Sequence, residues 1–406
     1  MMDWAIIGEW LEFAVRWVHV ITAIAWIGSS FYFIALDLGL HRDRDLASGA
    51  DGEEWQVHGG GFYHIQKYLV APANMPDGLV WFKWESYATW LSGFALLAVV
   101  YYLGAEFYLI DPSVMGLSPF AAIAISVASL GFGWLVYTFL CDRFVNTNQT
   151  GLMVALFVVL VGMAYFYTSV FAGRAALLHL GAFTATLMSA NVIMIIIPNQ
   201  KIVVADLIAG RKPDAKYGKI AKQRSTHNNY LTLPVIFLML SNHYPLAFAT
   251  EYNWIIAALV FLMGVTIRHF FNSMPARKGT PYWTWAATAL IFLLIMWLSA
   301  TPGKVDTRDE AMGAELRFAQ AAGFEDVTNI VLGRCSMCHA ADPSWEGLYW
   351  APKGVHLETS VQIARQARDI YIQAGRTHAM PQANLSYMEP AERQAIIDWY
   401  LAATRG

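Results

Sequence analysis

Long runs of apolar residues, separated by shorter polar segments, dominate the first three quarters of the chain. Eight of them are long enough, or nearly so, to cross a hydrocarbon core of about 30 Å as a helix of roughly 20 residues. They cover residues 10–36, 87–102, 120–140, 152–171, 175–197, 231–248, 254–270 and 282–300. The sixth run is interrupted by Asn242, His243 and Pro245. The pattern predicts an all-α fold, a polytopic membrane helical bundle of about eight spans, over residues 1–300.

The pattern changes after residue 300. Thr301-Pro302-Gly303-Lys304 is typical of a linker, which we place at residues 301–317. Residues 318–406 are more charged, and the stretches 361–375 and 389–403 have the pattern of short helices. We therefore expect a small soluble domain after the membrane domain.

The composition agrees with a membrane protein. Hydrophobic residues make up 57% of the chain and charged residues only 14%, against about 25% charged residues in soluble domains. The chain also holds 16 Trp, 19 Tyr and 23 Phe, as expected where rings line both membrane interfaces. The net charge of −3 favours no nucleic-acid partner, so the expected surroundings are a lipid bilayer.

The basic residues predict an orientation. Nearly all Lys and Arg of the connections lie in the odd-numbered ones, most densely between residues 201 and 224, while the even-numbered connections hold only Arg174. Because cytoplasmic loops are enriched in Lys and Arg, the odd connections should be cytoplasmic. Both termini and the C-terminal domain would then lie in the periplasm, on the outer side of a bacterial inner membrane. The first connection, residues 37–86, is long, and we expect it to be ordered.

The motif Cys335-Ser336-Met337-Cys338-His339 is the C-x-x-C-H pattern of covalent haem c. The two thiols bond to the vinyl groups of one porphyrin, and the adjacent histidine becomes the proximal iron ligand. The alternative is half of a zinc site, but the chain has only one further cysteine, Cys141, and no second C-x-x-C. Met380 in His378-Ala379-Met380-Pro381 is the expected sixth ligand; Met388 and Met337 are its rivals.

Ionisable groups within predicted spans mark function by default, and two histidines, His19 and His179, form a first candidate group. Arg16 and His19 share one face of the first span, and His179 lies near the outer end of the fifth. Two imidazoles on facing helices, with an arginine for the propionates, suit a b-type haem. The alternative is a pair of buried histidines bonded to backbone, and both interpretations remain open.

A second polar group lies towards the cytoplasmic side. His227-Asn228-Asn229-Tyr230 precedes the sixth span, Arg268, His269 and Asn272 close the seventh, and Lys67 comes from the first connection. Amides, cations and rings on one face suit a flat, polar, anionic heterocycle; interfacial anchoring is the alternative. His227 and His269 are candidate bases, because imidazole titrates near neutral pH. Arg268 and Lys67 are candidates for holding the anion, and Asn228, Asn229, Tyr230 and Asn272 for reading its edge and face.

These residues carry a family resemblance. The run from His227 to Pro234, continuing with Ser241-Asn242-His243-Tyr244-Pro245, resembles the bacterial membrane-bound, cytochrome c-linked urate oxidase (urate hydroxylase) family. The same holds for Gly60-Gly61-Phe62-Tyr63, for Trp81-Phe82-Lys83-Trp84-Glu85 and for the fused C-x-x-C-H domain that ends in Ala379-Met380-Pro381. The stretch from His19 to Gly28 is also similar to the first helix of membrane haem proteins that oxidise protoporphyrinogen.

The resemblance implies oxidation of urate to 5-hydroxyisourate, with water as the oxygen source. Electrons would leave through haem c to a soluble cytochrome c or a terminal oxidase, without the hydrogen peroxide made by the soluble, cofactor-free urate oxidase. The alternatives are a membrane-anchored electron carrier, an electron-coupled transporter or a quinol-linked dehydrogenase. One difficulty is distance: urate bound at the cytoplasmic side would lie about 30 Å of hydrocarbon from a periplasmic haem.

Overall fold

The computed structural model describes residues 4–68, 76, 78–144, 148–300, 310–348 and 350–405. The predicted linker therefore lies mostly outside the described residues, as do residues 69–75 and 77 of the long first connection and the short segment 145–147. The described chain forms a helical bundle up to residue 300 and a smaller helical domain from residue 310 onwards.

Ten helices make up the first part. They are α1 (Trp4–Gly39), α2 (Trp84–Leu97), α3 (Pro119–Phe144), α4 (Gln149–Val170), α5 (Gly173–Ala190), α6 (Ile197–Ile208), α7 (Ala215–Ser241), α8 (Pro245–Phe248), α9 (Asn253–Ser273) and α10 (Trp283–Ser299). Three π-helical segments, Ala98–Tyr102, Ala105–Leu109 and Asn191–Ile196, extend α2 or join α5 to α6. All eight predicted spans coincide with helices.

Several of these helices have the length and composition to cross a membrane. Within the described residues five do so, Ile6–Gly39, Pro119–Phe144, Gln149–Val170, Gly173–Ile208 and Asn253–Ser273, and the apolar Trp283–Ser299 is shorter. Large apolar side chains such as Trp17, Phe132 and Leu290 are exposed on the outside of the bundle, where water would disfavour them and lipid would not. The helical class is confirmed, and the number of eight spans stays a prediction.

The sixth predicted span needs new bounds. The hydrophobic pattern places its start near residue 231, but α7 begins at Ala215 and ends at Ser241. The first half of α7 carries buried polar side chains, among them Arg224 and His227, which a hydrophobic pattern counts as loop. Pro245 starts the separate, short helix α8.

The structure adds a β-hairpin that the all-α prediction lacks. Strand β1 (Ala50–His58) pairs antiparallel with β2 (Gly61–Tyr68) inside the first connection. The two turn residues, Gly59 and Gly60, have φ values of +57° and +82°, the combination that a two-residue hairpin turn requires and that glycine adopts without strain. The expected order of this connection is thus confirmed over residues 50–68.

Helix α7 lies at the centre of the bundle. It packs against α5 and α9 most closely, and also against α1 and α6. Where α7 meets α9, a Cβ atom on Gly264 would stand 2.5 Å from Cδ of Pro234, so only glycine permits this approach. Because α7 has neighbours on several sides, consecutive polar residues on it reach different parts of the interior.

The C-terminal domain consists of short helices around a core. These are α11 (Ala314–Ala319), α12 (Phe324–Arg334), α13 (Ser336–His339), α14 (Ser360–Arg365), α15 (Ala367–Ile370) and α16 (Pro390–Arg405), with a π-helical segment at Tyr371–Arg376. The helical stretches expected at 361–375 and 389–403 are present. The expected boundary at residue 318 falls inside α11, because Phe318 is fully buried in this core.

The C-terminal domain contacts the end of the bundle at which α1 begins. Arg368 pairs with Glu9 at 2.9 Å and donates to the Tyr108 hydroxyl at 2.8 Å, while Tyr108 donates to Asp369 at 2.9 Å. Nearby, Gly354 packs on Pro245 and Phe248 of α8. The basic segment between residues 201 and 224 belongs to the opposite end of the bundle, and the orientation in a membrane stays a prediction.

Candidate functional site

Three consecutive residues of α7 point to different neighbours. His227, Asn228 and Asn229 are all buried, at 6%, 5% and 0% exposure. Successive residues of a helix are about 100° apart, and the three side chains accordingly contact α3, the α5 region and α9. These three residues therefore belong to two separate groups.

We call the first group the inner polar cluster: Tyr137, Cys141, Asn191, Arg224, His227 and Asn228. The Tyr137 hydroxyl lies 2.8 Å from Nδ1 of His227. Asn191 donates to the Tyr137 hydroxyl and to Oδ1 of Asn228, each at 2.9 Å, and Asn228 donates to the carbonyl of Met188. The cluster joins α3, α5 and α7 near the ends that hold the basic connections.

A short contact joins Tyr137 and His227. The Tyr137 oxygen accepts a hydrogen bond from Asn191 and lies 2.8 Å from Nδ1 of His227. Both tautomers of His227 are compatible with this contact, because a phenol oxygen can donate its own hydrogen or accept a second hydrogen bond. In the tautomer whose Nδ1 carries no proton, the phenol donates to the imidazole, and the two side chains form one proton-transfer unit.

Arg224 brings unused hydrogen-bond donors into this cluster. The residue is 1% exposed, and its guanidinium lies 4.9 Å from the centre of the Tyr137 ring. Nη2 reaches the mostly exposed Asp142 at 3.3 Å, but Nε and Nη1 have no hydrogen-bond partner within the described chain, and neither has Oδ1 of Asn191. Buried polar atoms without partners are costly, and together these atoms offer donors and an acceptor to a bound ligand.

The second group, which we call the Arg268 cluster, consists of Phe31, Asn229, Arg268 and Asn272. Arg268 donates through Nε and Nη2 to Asn229 and through Nη2 to Asn272, at 2.9 to 3.3 Å. Asn272 also donates to Oδ1 of Asn229, and the guanidinium lies over the ring of Phe31 at 4.1 Å. In contrast to Arg224, whose Nε has no partner, Arg268 donates hydrogen bonds through both Nε and Nη2.

The remaining predicted substrate residues lie outside both groups. His269 is exposed, and its ring is 6.1 Å from that of Trp283. Tyr230 is half-buried near Arg268. Lys67 lies on β2 and forms an ion pair with Asp37 of α1, which also pairs with Lys222 at 3.2 Å. The structure therefore places Lys67 in a link between the hairpin and the ends of α1 and α7.

The two histidines considered for haem b each form a hydrogen bond to a backbone carbonyl through Nδ1. Nδ1 of His19 lies 3.0 Å from the carbonyl of Thr89, and its ring packs directly on Gly93 of α2. His179 donates from Nδ1 to the carbonyl of Ala175 at 2.8 Å, and its buried Nε2 has no partner within the described residues. Arg16 pairs with Glu12 on its own helix. Haem b stays a prediction, and no step is routed through it.

The C-terminal domain has the donor set of a covalent haem c. His339 donates from Nδ1 to the carbonyl of Val355 at 2.9 Å, which leaves Nε2 as the free ligand atom, as second-shell bonds commonly do. Burial lowers the pKa of His339, so the imidazole is neutral at neutral pH. Cys335 and Cys338 are free thiols; Cys335 lies just before α13, and Cys338 is the residue before His339 within it. The residues present therefore fit the group that the motif predicts.

Met380 also has a suitable position. Like Cys335 and Val355, it is half-buried against the core of this domain. Its backbone is fixed on both sides, since its N–H donates to Gln373 and its carbonyl accepts from Arg393, each at 2.8 Å. The rival Met388 is 2% exposed and belongs to the core itself, so Met380 remains the expected sixth ligand.

Replacing Met380 by histidine should lower the reduction potential of the haem, because thioether ligation raises it relative to imidazole. The change is expected to be a substantial share of the about 0.8 V over which axial ligands set haem potentials. A potentiometric titration followed in the visible spectrum measures it, with Met388→Leu as the matched control. An unchanged potential in Met380→His would assign the sixth ligand to another residue.

Sequence reasoning missed half of the inner polar cluster. Tyr137 and Asn191 lie in apolar runs and Arg224 lies in a basic connection. The local sequence therefore does not mark the three residues as members of one site. Only the packing of α3 and α5 against α7 brings them to His227. A tyrosine and an asparagine inside predicted spans were the available signal, since polar side chains there are expected to face a partner.

Comparison with known proteins gives the family. None of the curated proteins and none of the solved structures compared with the chain matches it. A sequence model of the family described as urate oxidase N-terminal matches residues 5–299, which are the helical bundle with its hairpin and include both polar clusters. The chain therefore belongs to the urate oxidase N-terminal family, a membership that suggests urate oxidation in general.

Proposed function

We propose that the protein oxidises urate to 5-hydroxyisourate at the inner polar cluster and passes the electrons to a covalent haem c held by Cys335, Cys338 and His339. The observation that carries this proposal is the set of unpartnered buried atoms beside the Tyr137–His227 pair, namely Nε and Nη1 of Arg224 and Oδ1 of Asn191. A haem c would supply one-electron acceptance and thereby a link to respiratory acceptors.

The chemistry of urate complements these atoms. Urate is a flat monoanion at neutral pH, with oxygens that accept hydrogen bonds and ring N–H groups that donate them. Nε and Nη1 of Arg224 can donate to one edge in the paired geometry that guanidinium groups favour, and Oδ1 of Asn191 can accept from an N–H. A site with a few directed polar groups in an apolar bundle is typical of small-molecule binding.

The reaction balances without hydrogen peroxide. Urate and one water give 5-hydroxyisourate, two protons and two electrons, with a new bond between C5 and the water oxygen. Tyr137 and His227 provide a path for a proton: the phenol oxygen takes up a proton from the reacting water or purine while its own proton moves to Nδ1 of His227. Lys222 and the other basic residues at this end of the bundle favour the arrival of an anionic substrate.

The proposed location follows from the orientation argument. The inner polar cluster would open towards the cytoplasm, and the C-terminal domain would lie in the periplasm, where soluble cytochrome c or a terminal oxidase accepts electrons. Several helices long enough to cross a membrane and the exposed apolar side chains of the bundle support an inner-membrane protein.

The direct test uses the purified full-length protein in detergent. Urate added under argon to the oxidised protein should reduce haem c, followed in the visible spectrum, with 5-hydroxyisourate as product and no hydrogen peroxide in air. Reduction by dithionite but not by urate would contradict the proposal and favour a membrane-anchored electron carrier. Reduction by a quinol instead would favour a quinol-linked dehydrogenase.

A further inference from the structure

The outward face of the β-hairpin is apolar near its turn. Side chains of a strand alternate between opposite faces, and the cross-strand pairs Trp55–His64 and Val57–Phe62 share this one. Trp55, Val57 and Phe62 are 55%, 70% and 77% exposed, so the described part of the chain leaves them largely uncovered. Large apolar side chains that cluster on a surface usually mark an interaction site.

The same face becomes polar towards the base of the hairpin. The ring of Trp55 stacks on that of His64, with centres 4.3 Å apart. Nε2 of His64 lies 2.7 Å from a carboxylate oxygen of Glu53, which also pairs with Arg44 at 3.5 Å. The face is therefore amphipathic along the strands, with apolar groups at the turn and charges at the base. Such a gradient is typical of an element that enters the boundary between water and lipid.

The contacts of the inward face give the direction in which the hairpin points. Alternate residues of β1 contact positions that move back from the end of α1 into the helix: Gly52 packs on Leu40, Glu54 on Gly39 and Gln56 on Tyr32. The last contact is a hydrogen bond of 2.7 Å from the Tyr32 hydroxyl. As β1 advances towards its turn, it therefore runs back alongside α1 and not away from the bundle.

This direction brings the turn to the depth of a bilayer surface. The apolar part of α1, Ile6–Gly39, has 34 residues and is about 51 Å long, more than the about 40–45 Å of a bilayer with its headgroups. In the proposed membrane location, Gly39 then lies at or beyond the headgroups, and Tyr32 about 10 Å inside it. The turn lies further along β1 than the contact with Tyr32, near the boundary between headgroups and acyl chains.

The surroundings of the hairpin complement a lipid surface. Phe33 of α1 is exposed and meets the exposed ring of Phe82 at 4.7 Å, so the apolar exterior continues next to Tyr32. At the base of the hairpin, Arg42 and Arg44 are paired with acidic residues but remain about half exposed. Apolar rings on the membrane side and cations behind them match the acyl chains and the anionic headgroups of one leaflet.

We propose that the turn of the hairpin inserts into this leaflet, with Val57 and Phe62 against the upper acyl chains and Arg42 and Arg44 at the phosphates. The inference rests on the proposed membrane location and not on the proposed substrate. The partner is an anionic lipid surface. The insertion is shallow, because the unpaired backbone groups at the strand edges need water or headgroups as hydrogen-bond partners.

Fluorescence quenching by spin-labelled lipids tests the insertion. The full-length holoprotein is placed in vesicles of phosphatidylcholine and phosphatidylglycerol, and Phe62→Cys is labelled with an environment-sensitive dye. Because Phe62 is exposed, this substitution should leave the fold and the haem spectrum unchanged. The parent protein, treated in the same way, gives the background labelling, which should be low since Cys141 is fully buried. We expect the dye emission to shift to the blue and to be quenched more by a spin label near the headgroups than by one near the end of the acyl chain.

Two matched labelling sites separate the outcomes. Leu290→Cys, at an exposed position in the middle of α10, should be quenched most by the deep spin label. Tyr387→Cys, at an exposed position of the C-terminal domain, should be quenched by neither. The same lack of quenching for Phe62→Cys would overturn the insertion. A blue shift without lipid quenching, together with cross-linking between copies through residue 62, would also overturn it and assign the face to self-association. Absence of quenching at Leu290→Cys as well would reject the membrane location itself.

Discussion

Replacing His227 by alanine is expected to lower the rate of urate-driven haem reduction by about 10²- to 10⁴-fold, the range that a positioned proton acceptor contributes. The reason is specific to this site: Nδ1 of His227 lies 2.8 Å from the Tyr137 phenol, and its imidazole is the basic group of this pair. Without it, the phenol keeps its proton, and proton uptake from the substrate no longer proceeds readily. Single-turnover mixing with urate under argon measures the effect.

His269→Ala is the matched control for this prediction. Both histidines were candidate bases from the sequence, and both lie towards the same end of the bundle, but His269 is exposed beside Trp283. Its replacement should change the rate by less than about twofold, as is usual for surface substitutions away from a site. The absorption spectrum of the haem should be unchanged in both variants. Loss of activity in His269→Ala with normal turnover in His227→Ala would move the reaction centre to the α9 side.

The hydrophobic pattern predicted the helices well, because a helix that faces lipid or an apolar core must be apolar over its length. The hydrophobic pattern failed where the buried side chains of a helix are polar. Helix α7 starts sixteen residues before the predicted span, and from residue 221 onwards it buries polar side chains, among them Arg224, His227 and Asn228. The hairpin was missed for another reason: Gly59-Gly60 is a turn signal, but the strands on either side are rich in polar residues and lack a hydrophobic run.

The motif residues and the site residues differ in how much the sequence reveals. Cys335, Cys338 and His339 are adjacent in the chain, so spacing alone predicts their chemistry. The inner polar cluster is assembled from α3, α5 and α7, and no local pattern predicts which of several buried polar residues face one another. His227 and Asn229 are two positions apart, yet they belong to different clusters, because that spacing places them on nearly opposite sides of a helix.

The arginine that we propose for anion binding is not the one that the sequence favours. The sequence favours Arg268, which closes a predicted span beside His269 and Asn272. The structure favours Arg224, because its Nε and Nη1 have no partner within the described chain, while Arg268 already donates to Asn229 and Asn272. A guanidinium with free donors can bind a ligand without first giving up internal bonds.

Arg224→Met should therefore raise the half-saturating concentration of urate by about ten- to a hundredfold, since hydrogen bonds to a charged group contribute about 1.5–3 kcal/mol and 1.4 kcal/mol is a factor of ten. Methionine fills a similar volume and removes a buried charge whose donors lack partners, so the fold should not lose stability. Calorimetric binding of urate and the concentration dependence of haem reduction measure the effect. Arg268→Met is the matched control, expected to change urate affinity by less than about threefold while freeing the amides of Asn229 and Asn272. The opposite result, with weak urate binding only in Arg268→Met, would place the anion between α7 and α9 and separate it from the Tyr137–His227 pair by the width of a helix.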